Sequence, residues 1–338
     1  MKNELLFAII GCGSIAQRHA AHIGNVGKLV AVCDIVEEKA IALGKQYGAS
    51  SYSSIEALLH GEKNIDVAVV CTPNGLHAQH SIQGLEAGCH VVCEKPMAIN
   101  VMDCNAMIEA AKKYNKHLFV VKQNRFNPPV LLVKDAIEKG VLGKIFSIQL
   151  NCFWNRDAAY YTNSWKGSKI LDGGTLFTQF SHFIDLMYWM IGDVKTVQAI
   201  TANYAHQHVI EFEDTGMATV QFVNGAMGTI NYTVNSHAKN MEGSITIFAE
   251  NGTVKIGGQY LNTLEYADVK NFTFDKIEAG NGPNNYGTYT GSMSNHDKVY
   301  ENVHAVLKEK GIMKTTMYDA LKTVEIIEKF YKSANGCQ

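Results

Sequence analysis

The chain has 338 residues, 46% hydrophobic and 18% charged, with a formal net charge of −2; that length supports two domains, since single cores rarely grow past roughly 250–300 residues. The balanced charge offers no basic surface for nucleic acid and no polybasic membrane patch, and no apolar run approaches the ~20 residues of a membrane span. Met1-Lys2-Asn3-Glu4 leads straight into an apolar stretch with no room for a signal peptide, and the eight cysteines form no C-x-x-C pair, so a cytoplasmic protein with buried thiols is expected.

Residues 6–10 read as a buried strand that runs into Gly11-Cys12-Gly13-Ser14-Ile15-Ala16 and then a helix over 16–24. In a dinucleotide fold Gly11 gives the tight turn, Gly13 lets the backbone approach a pyrophosphate, and Ala16 allows close helix–strand packing. The helix N-terminus, at Ser14 and Ile15, then faces the phosphates. Taken alone, the motif also fits a glycine turn between core elements. The strand 28–33 ends in Asp34, where such a fold places the acid for the adenosine ribose hydroxyls. That carboxylate would repel a 2′-phosphate, so NAD is expected over NADP.

Helices follow over 37–47 and 56–60, and a strand over 66–71 ends in Thr72-Pro73-Asn74-Gly75. A helix over 77–87 precedes the strand 90–93, which runs into Glu94-Lys95-Pro96; a helix over 101–114 and a strand over 117–121 complete the set. This alternation predicts an α/β domain over residues 1–122 with a doubly wound parallel sheet. Ligands bind beyond the carboxyl ends of such strands, where Asp34, Thr72, Pro73, Asn74, Glu94 and Lys95 converge. Lys95 is either a proton-transfer group or a solvated loop lysine paired with Glu94. Partial desolvation beside a nicotinamide would lower its pKa.

The polar stretch 123–129, ending in Pro128-Pro129, predicts the boundary of a second domain over 123–338. After a helix over 130–138, the segments 146–153, 194–204, 215–223, 225–234, 243–249 and 252–256 alternate apolar and polar residues, as in a large open, mainly antiparallel sheet. Helices are expected over 176–190, 297–310 and 316–333, and a loop over 281–292. The outer residues of the alternating strands need a cover, which predicts a homodimer or homotetramer.

The glycine motif, Thr72-Pro73-Asn74 with His77, and Glu94-Lys95-Pro96, in this order and spacing, resemble the glucose-fructose oxidoreductase, inositol dehydrogenase and MocA family. Leu171-Asp172-Gly173-Gly174-Thr175, His182 and Asp185 extend the resemblance into the second domain. The resemblance implies a Rossmann domain with bound NAD, a second α/β domain with an open sheet, and oxidation of a secondary hydroxyl. It also implies cofactor contacts at His77, with Lys95 and His182 near the reacting hydroxyl. Many members have an aspartate four residues before that histidine; this chain has Thr178, which cannot serve as its carboxylate partner.

Residues 122–129, 151–156, 160–161, 165–167 and 171–179 resemble the sugar-nucleotide branch, which oxidises the 3-hydroxyl of UDP-N-acetylglucosaminuronate for surface polysaccharides. Substrate contacts are expected at Arg125, Asn127, Arg156, Lys166, Thr178, Gln179 and His182, where arginines suit a uronate carboxylate and a diphosphate. Each single charge is otherwise a surface residue. Trp154, Tyr160, Tyr161 and Trp165 suit stacking on uracil or sugar, and sheet-edge packing explains them as well. His19-x-x-His22 and His77-x-x-His80 lack further ligands in a recognised pattern, so no metal is expected. Two alternatives stay open: a free-sugar or cyclitol dehydrogenase, and a dinucleotide-binding regulator without turnover.

Overall fold

The computed structural model describes residues 4–277, 280–287 and 289–336. The chain forms two compact units: Met1–Lys122 with His296–Val324, and Gln123–Asn295 with Glu325–Gln338.

The first unit begins β1 (Leu5–Ile10), α1 (Ser14–Ile23), β2 (Gly27–Cys33), α2 (Glu37–Tyr47), β3 (Ser50–Tyr52), α3 (Ile55–Gly61) and β4 (Val67–Val70). It continues α4 (His77–Glu86), β5 (His90–Cys93), α5 (Val101–Lys113) and β6 (Leu118–Val120). The strand order is β3-β2-β1-β4-β5-β6, with every pairing parallel. Strands of a sheet covered on both faces read as unbroken apolar runs. Val67, Ala68, Val69 and Val70 are accordingly all fully buried, as are Phe7, Ala8 and Ile9. The chain winds outward in opposite directions from β1 and β4, which makes the end of that pair the switch point where ligands bind.

The second unit contains α6 (Pro128–Glu138), β7 (Ile145–Phe153), α7 (Ala158–Tyr161), α8 (Thr175–Thr178), α9 (Ser181–Ile191), β8 (Val194–Ala202) and β9 (Thr215–Phe222). Then come β10 (Met227–Thr233), β11 (Glu242–Ala249), β12 (Gly252–Gly257), β13 (Thr263–Val269), β14 (Pro283–Asn285) and β15 (Thr290–Met293). Seven strands form one sheet in the order β13-β12-β11-β7-β10-β9-β8. All pairings are antiparallel except β7 with β10. One face is apolar: the rings of Phe180 and Phe330 lie 5.8 and 5.6 Å from that of Tyr232.

The other face is more polar than the alternation suggested. Asn231 donates to Asn151 at 3.1 Å, the Thr215 and Thr233 hydroxyls lie 2.8 Å apart, and Lys255 pairs with Glu265 at 2.9 Å. Met217, Met227 and Phe248 are exposed, so the surface is mixed.

The helices α10 (His296–Lys308) and α11 (Met317–Gly336) close the chain. A second domain running unbroken from 123 to the C-terminus is not what the structure has, because residues 296–324 return to the first unit. Tyr300 of α10 packs edge-on against Phe7 of β1, with centroids 5.8 Å apart. The helix expected over 176–190 is broken into α8 and α9. Between them, Gln179 is tied to Arg156 and Tyr160 through its side chain, and Phe180 is buried against Trp154 and Phe183. The loop expected over 281–292 holds the hairpin β14–β15, with Thr288 outside the described residues. Among the described residues no helix is long and apolar enough to cross a membrane.

Candidate active site

In the first unit the glycine turn between β1 and α1 has two distinct jobs. Gly11 has φ +91°, and a Cβ there would lie 2.9 Å from the backbone of Cys71 and Thr72. The turn therefore requires glycine to form at all. Gly13 has an ordinary φ of −74°, and a Cβ there would meet nothing within 4 Å. It borders open space at the N-terminus of α1, which no side chain caps, beside exposed Ser14 and partly exposed Ile15. Open space next to uncapped N–H groups fits a pyrophosphate.

Asp34 follows β2. Its Oδ2 accepts the N–H of Cys12 at 2.7 Å and its Oδ1 that of Val36 at 2.8 Å. These bonds hold the carboxylate against the glycine turn, and each oxygen retains a lone pair for a ribose hydroxyl. A carboxylate acceptor here and the uncapped N–H donors of α1 together fit NAD.

The loops after β4 and β5 are stapled together by His77. Its Nδ1 lies 2.6 Å from the Pro96 carbonyl oxygen and its Nε2 lies 2.9 Å from that of Thr72. Burial draws its pKa below the ordinary histidine range despite the two carbonyls. His77 thus sets the spacing of two loops, a role the resemblance did not suggest. Thr72 bonds His80 through its hydroxyl at 3.0 Å, and Pro73 and buried Asn74 form the turn into α4. Lys95 is partly exposed, and its backbone N–H donates to Oε2 of buried Glu94 at 3.0 Å. The Lys95–Pro96 peptide is cis.

In the second unit several residues expected at the substrate are bound within the protein. The Arg125 guanidinium forms a buried two-point pair with Asp185, each bond 2.8 Å. Asn127 donates to the carbonyls of Tyr260 and Leu261 at 3.1 and 3.0 Å and accepts from Asn295 at 2.8 Å. Buried Arg156 donates to Gln179 at 2.9 Å and to Asn240 at 3.1 Å, between the rings of Trp154, Tyr160 and Tyr289. Gln179 spends its amide nitrogen on the Tyr160 hydroxyl at 2.9 Å. Protein partners thus hold all four side chains in place, as a buried guanidinium in particular requires. Trp154 and Tyr161 are likewise core residues.

A cleft of about 260 Å³ opens beside this framework, lined by Arg156, Lys239, Asn240, Tyr260, Tyr289 and Thr290 among others. Partly exposed Lys166 lies over the rings of Tyr160 and Tyr289, at 4.2 and 5.3 Å. Thr178, at the end of α8, donates to the buried carboxylate of Asp172, and His182 is buried in the first turn of α9. Tyr289, Asn240 and Lys239 were missed because they lie in irregular segments with no periodicity.

Comparison with known proteins matches the geometry. Residues 5–122 fit the model of an oxidoreductase family with an NAD-binding Rossmann fold, and residues 130–255 fit that of the GFO/IDH/MocA C-terminal domain. The chain is similar to the WlbA dehydrogenase of Bordetella pertussis, solved in complex with NADH and UDP-GlcNAcA. That likeness has 36% identity and a TM-score of 0.89, covering 99% of this chain and 98% of that one. It is 32% identical to the D-glucoside 3-dehydrogenase of Escherichia coli over 68% of this chain and 67% of that protein. With the levoglucosan dehydrogenase of Pseudarthrobacter phenanthrenivorans it shares 27% identity over 68% of this chain and 65% of that one. The match thus spans about two thirds of these two relatives. By both of its domains, the chain belongs to the GFO/IDH/MocA family of NAD-binding oxidoreductases.

Proposed function

We propose that this protein is an NAD-dependent dehydrogenase that oxidises a secondary hydroxyl of a sugar nucleotide, the 3-hydroxyl of UDP-GlcNAcA in the first instance. The observation that carries the reading is the extent of the likeness to WlbA, which runs through the substrate domain as well as the cofactor domain. The partly exposed cation of Lys166 over two tyrosine rings, beside the cleft at Arg156, suits an anionic ligand with a flat base.

Bound NAD supplies the two-electron acceptor. Gly13 and the N-terminus of α1 would hold its pyrophosphate, and Asp34 would hold its ribose. We assign to Lys95 the removal of the substrate hydroxyl proton, and to His182 a hydrogen bond that orients the substrate. Proton transfer by such a group is worth typically 10²–10⁴-fold. A carboxylate at position 178 plays no part, since Thr178 occupies it.

A free-sugar dehydrogenase is the second reading, favoured by the 32% identity to the D-glucoside 3-dehydrogenase. The deciding experiment measures NAD reduction with UDP-GlcNAcA, methyl glucosides, levoglucosan and myo-inositol at equal concentration. UDP-GlcNAcA should be preferred by roughly 100-fold, since a neutral sugar would gain nothing from the Lys166 cation over the tyrosine rings. A glucoside or inositol that reacts faster overturns the substrate assignment. Inertness towards all four points to a regulator.

A further inference from the structure

The first unit holds a buried group of ionisable side chains joined to the loop that carries Lys95. On α1, His19 is completely enclosed; its Nε2 lies 2.9 Å from Glu94 Oε1 and its Nδ1 lies 2.8 Å from the Tyr300 hydroxyl. His296 and Tyr300, four residues apart on α10, share one helix face. His296 is also completely enclosed, with its Nε2 3.5 Å from the same Glu94 oxygen and its ring 5.2 Å from that of His19.

The bonding pattern fixes a direction. Burial pushes the Tyr300 phenol well above its ordinary pKa, so its hydroxyl is a lasting donor, and it satisfies Nδ1 of His19. The Nε2–H of His19 is then left to donate to Glu94, in the tautomer the network requires. Burial alone would raise Glu94, yet the imidazoles of His19 and His296 hold it well below the ordinary carboxylate range. The second carboxylate oxygen takes the backbone N–H of Lys95 at 3.0 Å. A single path thus runs from α10 through α1 to the loop that carries Lys95.

We propose that His19, Tyr300 and His296 are positioning residues that fix the Glu94 carboxylate, and through it the backbone of Lys95, for proton transfer. The inference rests on the reading of Lys95 as the proton-transfer group. Misplacement of a reacting group by about 1 Å lowers a rate by about 10²-fold, so loss of one link need not disturb cofactor binding to be felt in turnover. His296 and Tyr300 return from the end of the chain to do this, which accounts for the placement of α10 in the first unit.

The test compares single-turnover NAD reduction, NAD affinity and substrate KM in Tyr300→Phe, His19→Leu, His19→Gln and Lys95→Met. Tyr300→Phe removes one hydroxyl and should slow the step by about 10-fold, with NAD affinity and KM within about twofold. His19→Leu should lose more. His19→Gln, whose amide nitrogen reaches the Nε2 position, should recover most of the rate relative to His19→Leu. If His19→Leu does not fold, Tyr300→Phe and His19→Gln still decide. Wild-type rates in Tyr300→Phe, or a loss confined to NAD affinity, overturn the proposal. Zinc retained at about one per chain and lost in His296→Ala also overturns it, by making His19, Glu94 and His296 a metal site. If Lys95→Met itself reacts at the wild-type rate, the reading of Lys95 fails; if only the other variants do, this proposal alone fails.

Discussion

The hydroxyl of Thr178 donates to the carboxylate of Asp172, six residues earlier in the chain. Asp172 is buried, and its other oxygen accepts the N–H of Gly167 at 2.9 Å. Position 178, where the family resemblance implied an aspartate, is therefore still in contact with a carboxylate, presented by the loop before the glycine pair. Thr178→Ala removes one donor from a buried carboxylate and should cost about 1–3 kcal/mol of stability. Thr178→Ser keeps the donor and should cost little. Urea midpoints of the two variants check this, and equal midpoints would contradict it.

The two glycines of the first turn should separate folding from binding. Gly11→Ala puts a side chain at φ +91° and 2.9 Å from the Cys71 backbone, so its thermal midpoint should fall. A Cβ at position 13 would meet no atom within 4 Å, so Gly13→Val should fold normally, yet fill the space at the N-terminus of α1. NAD binding by calorimetry should vanish in Gly13→Val while its melting temperature stays within a few degrees of wild type. NAD binding at wild-type affinity would place the pyrophosphate elsewhere.

Asp34 should set the choice between NAD and NADP. A like charge facing a 2′-phosphate costs several kcal/mol, so wild type should prefer NAD by about 10²-fold or more. Asp34→Ser should narrow that preference to within about 10-fold. Dissociation constants for both cofactors decide the matter; equal binding by the wild type would remove Asp34 from the site.

Much of this was legible in the sequence. The unbroken apolar runs of β1 and β4 and the glycine spacing between β1 and α1 announce a parallel sheet with a phosphate turn, because local pattern and tertiary role coincide there. Strand β13 was missed because five of its seven residues are exposed and show no alternation. Arg125 and Arg156 looked like ligands for an anion, and the structure turns both inward. A guanidinium's partner, Asp185 or Gln179, lies far along the chain, and no spacing rule reveals it. The His19–Glu94–Tyr300 path was hidden for the same reason, since its parts come from three distant segments. His19 and Glu94 each stood in a motif of its own, and nothing in the spacing joined them to Tyr300.

Glu213 should make stability depend on pH. The hydroxyls of Tyr232 and Tyr331 both donate to its Oε1 at 2.8 Å, but burial dominates and pushes its pKa up from 4.5 to about 7. A raised folded-state pKa contributes stability that is complete below the unfolded value, about 4.5, and is lost as pH rises to about 7. The loss approaches about 3 kcal/mol at most. Glu213→Gln keeps an acceptor oxygen and has no proton to lose. Its stability relative to wild type should therefore climb between pH 4.5 and 7.5 and then level off. Urea unfolding at both pH values tests this, and a constant difference would contradict it.

The proposed role of Lys95 is to move the substrate proton in an NAD-dependent oxidation of a sugar nucleotide. The most direct measurement is single-turnover reduction of bound NAD by UDP-GlcNAcA, followed at the nicotinamide absorbance, in wild type, Lys95→Met and His182→Asn. Lys95→Met should bind NAD as wild type does and react about 10²–10⁴-fold more slowly, with His182→Asn impaired to a similar or smaller degree. Reduction of NAD by Lys95→Met at the wild-type rate would contradict the account.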